Sequence, residues 1–99
     1  MKTSEVLKAG LATLVAGGWR QMSCVGGVGH CMTTALPGYH DEALKSLGKA
    51  IGSDLSPSLS LIPIWNFNDA PGRTWPEIKA KYLEAIALAE AYEGSEAIV

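Results

Sequence analysis

Charge is scarce in this chain. Of its 99 residues only 8 are Lys or Arg and 10 are Asp or Glu, giving a formal net charge of −2. No basic run occurs, and binding to nucleic acid needs phosphate neutralisation, so that class is disfavoured. No apolar run approaches the ~18 residues of a membrane-spanning helix. The N-terminus lacks a charged region followed by an apolar core and a cleavage site, so no secretory leader is expected. Cysteine occurs twice, which without a leader points to a reduced, cytoplasmic setting. Internal repeats and low-complexity segments are missing too. What is present is apolar: 47% of residues are hydrophobic, which argues against disorder. The length gives one domain, 1–99, with a shallow core. Some apolar surface is then available for contact.

The helical periodicities predict an all-α fold of four to five helices. Thr3 or Ser4 can cap a first helix to about Val15, with Val6, Leu7, Leu11 and Leu14 on one face beside Gly10. Gly17-Gly18 ends it. Residues 19–29 are irregular: Trp19, Gln21, Ser23 and Val25 alternate with Arg20, Met22 and Cys24, which permits a short strand or hairpin arm, and a plain loop is the preferred reading. His30 to Leu36 reads as a short buried helix stopped by Pro37-Gly38. Another helix runs from about His40 to Ile51, with Leu44, Leu47 and Ile51 inward, Asp41 and Lys45 four apart outside, and Gly52 as its C-cap. Ser56-Pro57 can open a brief helical turn through Leu61, with Pro63 as its stop. Ile62, Ile64 and Trp65 are expected to pack inward after it.

The stretch from Asn68 to Glu77 is the richest in signals. Pro71 and Gly72 suit the second and third positions of a type II turn. Asn68 and Asp69 can accept from nearby backbone N–H groups. Thr74 and Glu77 have capping-box spacing, with Pro76 in the first helical turn. The long C-terminal helix then runs from Trp75 to about Tyr92 and ends near Gly94. Trp75, Ile78, Tyr82, Ala85, Ile86 and Ala89 form its core face. Glu77 and Lys81 are spaced for an ion pair. Ala80, Leu83, Ala87 and Ala91 form a second stripe, explained either by helix propensity or by close approach of another helix or a second copy.

Trp65, Asn68-Asp69, Gly72-Arg73-Thr74 and Glu77, followed by an alanine-rich helix, resemble a family of small bacterial and phage proteins known as a domain of unknown function. Cys31 to Leu36 is similar to that family's Cys-x-x-Gly-Ala-Leu segment, and Trp19 with Gln21 to its Trp-x-Gln. Thr34 stands where the family has glycine, and extra residues separate Trp65 from the Asn-Asp pair. The resemblance implies no catalytic residues. Its phage occurrence implies an accessory role directed at a host protein, for example inhibition of a bacterial defence system.

Candidate chemistry lies between residues 24 and 40, where Cys24, His30, Cys31 and His40 are ligand types used by zinc. The paired spacing of a zinc finger is lacking, and a small buried hydrophobe accounts for Cys31. A Cys31–His30 nucleophile pair lacks an identifiable oxyanion donor and orienting acid. Gly26-Gly27-Val28-Gly29 lacks the lysine end of a phosphate loop and reads as a turn or contact loop. Asp69, Arg73 and Glu77 read as an ion-paired helix entry. The expectation is a non-enzymatic protein-binding module without metal or cofactor, using Phe67, Arg73, Trp75, Leu83 and Tyr92 as anchors. The alternatives are a Cys/His metal-binding or enzymatic domain, and a structural or assembly subunit.

Overall fold

Four helices follow one another in the computed structural model, which describes residues 2–21, 30–38, 40–53 and 57–98. They are α1 (Thr3–Gly17), α2 (Asp41–Ala50), α3 (Pro57–Asp69) and α4 (Trp75–Ile98). The fold is all-α among the described residues, with the C-terminal helix the longest. α3 packs on α2, α2 on α4, and α4 on α1. The core is made where their apolar stripes meet: Val6, Leu7 and Leu14 from α1, Leu44 and Leu47 from α2, Ile64 from α3, and Ile78, Tyr82 and Ile86 from α4.

α1 starts on a different cap from those expected. Lys2 holds the N-cap position, and its N–H donates to the Glu5 carboxylate at 2.9 Å. Ser4 is instead buried inside the helix, where its hydroxyl and its N–H donate to Glu93 of α4 at 2.6 and 3.0 Å. A carboxylate from the far end of the chain thus satisfies a donor that the first turn leaves open. At the other end Gly18, with φ of 87°, donates to Leu14 O at 2.9 Å and stops the helix as the sequence implies.

Residues 32–35 form turns, not the expected short helix. The segment is held by side chains: the Cys31 N–H donates to Thr34 Oγ1 at 3.0 Å, and Tyr82 donates its hydroxyl proton to Met32 O. Buried Met32, Ala35 and Leu36 still enter the core as foreseen. Most of 19–29 lies outside the described residues. Its start is tied back by a single parallel bridge between Trp19 and His30.

α2 is capped by His40, whose Nδ1 accepts from the Ala43 N–H at 3.2 Å. Its C-cap is Ile51, one residue before the expected Gly52, which follows at φ of 87°.

Pro63 does not stop α3. It sits inside the helix, which continues to Asp69. Proline's fixed φ is already helical, so the cost is one lost backbone hydrogen bond and a steric clash, about 3 kcal/mol. Continuing the helix places Ile64 and Asn68, one turn apart, in the interior. The expected inward packing of Ile62 and Trp65 does not occur; both are exposed.

The turn before α4 follows the sequence closely. Arg73 N–H donates to Ala70 O at 3.0 Å, and Gly72 takes a φ of 78°. The capping box is half formed. Glu77 Oε1 accepts the Thr74 N–H at 3.1 Å, but the Thr74 hydroxyl donates to the same carboxylate at 2.9 Å. Arg73 explains the change: its guanidinium also binds Glu77, at 2.7 Å, and fixes the carboxylate beside Thr74. Lys81 pairs with Glu84 and not with Glu77.

Candidate functional site

Asn68, the penultimate residue of α3, organises the corner between α3 and α4. Its side chain is 1% exposed and meets four partners. Oδ1 accepts from the Trp19 indole at 2.7 Å and the Met32 N–H at 3.1 Å. Nδ2 donates to Arg20 O at 3.2 Å and to the Asp69 carboxylate at 2.9 Å. A buried amide can use both its acceptor and its donors, and here all are spent. Gln21 adds two bonds, from Nε2 to Asn68 O and Ala70 O, at 3.1 and 2.8 Å. The Trp65 indole donates to Thr33 Oγ1 at 2.9 Å. Arg73 lies over the Phe67 ring, 3.6 Å from its centroid, and donates Nε–H to Phe67 O at 2.8 Å.

Several residues that the sequence singled out therefore meet in one place. Trp19, Gln21, Asn68, Arg73 and Glu77 are cross-ties of the corner, while Trp65 fastens α3 to the 30s segment. Hydrogen bonds from Arg73 and then Thr74 hold the Glu77 carboxyl below the usual range. Burial, with the nearby Cys31, pushes the Tyr82 phenol well above its ordinary value, so it stays a donor to Met32 O.

The Cys/His grouping is only partly within view. Cys24 lies outside the described residues, as does the glycine-rich loop that follows it. Among the described residues no three His, Cys, Asp or Glu side chains gather as metal ligands do. His40 is engaged as the cap of α2, and the His30 ring packs near Gly17. Cys31 is 2% exposed, its sulfur 3.3 Å from the Thr33 hydroxyl and accepting from Thr34 Oγ1 at 3.4 Å.

The five expected contact residues are spread over the molecule. Phe67 and Trp75 are half-buried and pack against the core. Phe67 and Arg73 are together, stacked at the corner. Trp75 borders a shallow pocket with Leu14, Val15 and Trp19. Leu83 and Tyr92 are 49% and 63% exposed on α4. Their spacing puts them on opposite sides of that helix at about 100° per residue. Four exposed apolar residues add to them: Val15 on α1, Ile62 and Trp65, one turn apart on α3, and Leu88, one turn before Tyr92. Leu88 and Tyr92 line a groove with Glu42, Lys45 and Lys49 of α2. The amphipathic pattern of α2 placed Lys45 outside and did not single out Lys49.

No family model, curated protein or solved structure matches this chain. No helix among the described residues is long and apolar enough to cross a membrane.

Proposed function

We propose that the chain is a small protein-binding module that acts by covering a surface of another protein and not by catalysis. One observation carries the reading. Ile62, Trp65, Leu83, Leu88 and Tyr92 stay in solvent while the four helices already close a core without them. A single exposed leucine is ordinary, but exposed pairs one turn apart, Ile62 with Trp65 on α3 and Leu88 with Tyr92 on α4, offer separate apolar contact patches. Trp65 and Tyr92 are of the types in which interface energy concentrates. The resemblance to small phage and bacterial proteins supports a host protein as the target, and inhibition of a defence system as one form of the activity.

A second arrangement draws on the exposed stripe Ala80, Leu83, Ala87 and Ala91, where another α4 can approach to form a homodimer. The test uses tagged wild-type chain with Ile62→Glu and Leu83→Glu variants in the native host. Folding is followed by circular dichroism and mass by light scattering. A partner held by the wild type and lost by a folded variant is the expected result. Full retention by both folded variants would remove α3 and this side of α4 from the interface. A mass that halves in Leu83→Glu would assign that side to a second copy.

A further inference from the structure

The groove between α2 and α4 joins two exposed apolar side chains to two lysines that outnumber its one carboxylate, Glu42. Leu88 and Tyr92 come from α4, and Lys45 and Lys49 from α2. Its volume is about 180 Å³. Small-molecule sites run to about 300–1,000 Å³, so this groove suits one or two side chains of a larger partner. Neighbouring cations are already matched: Lys8 pairs with Glu90 and Lys81 with Glu84, both at 3.0 Å. Among the described residues Lys45 and Lys49 have no ion-pair partner. In a chain of net charge −2 this is a local reversal of sign. Glu42 stands at the first turn of α2, so the groove is polarised along its length, with the lysines toward the C-terminal end.

We infer that this groove receives an acidic amphipathic helix of a partner protein. Lys45 and Lys49 are one helical turn apart, so a helix with carboxylates one turn apart matches their spacing. Its apolar side chain would enter between Leu88 and Tyr92. The carboxylates fix register and orientation, and the apolar anchor supplies most of the affinity. The inference rests on the binding-module reading and names the partner's chemistry.

The probe is a designed helical peptide of about four turns. It carries Leu and Phe one turn apart, flanked by Glu, and a control peptide has Lys in place of Glu. Fluorescence anisotropy measures both against the full chain and a Lys45→Glu/Lys49→Glu variant. Wild type should prefer the acidic peptide by about tenfold or more, and the variant should invert the preference. Leu88→Ala should weaken the acidic peptide without changing the preference, and added salt should reduce the preference. Equal binding of the two peptides, binding of neither, or an unchanged preference in the variant would overturn the inference. So would a drop in oligomeric mass caused by the lysine changes, which would give the groove to a second copy. A host partner that survives the lysine changes but is lost with Ile62→Glu leaves the module reading intact and removes the groove. A clean charge inversion with no host partner captured by any form keeps the groove as a helix site and removes the host-directed reading.

Discussion

The Trp19 indole N–H lies 2.7 Å from Asn68 Oδ1, joining positions 49 residues apart. With the Met32 N–H on the same oxygen, one buried amide ties α3 to both bridged segments, the one at Trp19 and the one after His30. Asn68→Ala would leave buried donors and the Arg20 carbonyl without partners. Unsatisfied buried groups cost about 1–3 kcal/mol each, so a loss of about 2–4 kcal/mol is expected. Urea unfolding measures it. A loss under about 0.5 kcal/mol, the level of a neutral surface change, would mean that the corner does not depend on this amide.

Gly10 and Tyr82 should be energetically coupled. A Cβ at position 10 would come within 2.9 Å of both the Tyr82 hydroxyl oxygen and Leu36 Cδ2. That oxygen is held by Met32 O and cannot swing away cheaply. Helix propensity favours alanine over glycine by about 1 kcal/mol, yet Gly10→Ala should destabilise by about 1–3 kcal/mol through overpacking. Its cost should fall in a Tyr82→Phe background, where the clashing oxygen is gone. A double-mutant cycle with no coupling would show that α1 moves aside instead.

Acid should loosen the contact between the two ends of the fold. Hydrogen bonds from the Ser4 hydroxyl and N–H lower the Glu93 pKa below its ordinary value. A carboxyl depressed in the folded state contributes stability that is present above the unfolded pKa, about 4.3, and lost as pH falls through the folded value. Thermal unfolding between neutral pH and about pH 3 should therefore show a smaller decline in Ser4→Ala than in wild type. Equal declines in the two proteins would contradict the assignment.

At the start of α4 the carboxylate matters more than the hydroxyl. Glu77 receives Thr74 N–H, Thr74 Oγ1 and Arg73, whereas Thr74 Oγ1 makes only one of those bonds. Thr74→Ala should cost less than the ~1 kcal/mol usual for a cap. Glu77→Ala should lower the melting temperature further than Thr74→Ala does. The opposite order would restore the usual capping box.

The turn at Pro71-Gly72 and the core face of α4 were legible because local chemistry decides them. A proline, a positive-φ glycine and a 3.6-residue period require no knowledge of the rest of the chain. Pro63 misled because its local preference was overridden by the burial of Ile64 and Asn68, which no window around it reveals. Ser4 looked like a cap for the same reason: its partner Glu93 is 89 residues away. Asn68 was readable as a turn residue but not as a hub, since its partners come from segments without periodicity. Lys45 read only as outer-face charge and Lys49 was not singled out, because charge on the outer face of a helix is ordinary until an apolar neighbour from another helix lies beside it.

The grip of Glu93 on Ser4 also orders events in time. α1 buries its apolar face largely against α4 and has part of its first turn completed by a residue near the end of that helix. At about 5–20 residues per second, roughly 4–18 s of synthesis separate the two positions. During that interval Val6, Leu7 and Leu14 have no finished surface to cover them. A nascent chain halted before α4 should therefore remain open to proteolysis in α1, and protection there should arrive only with the last helix.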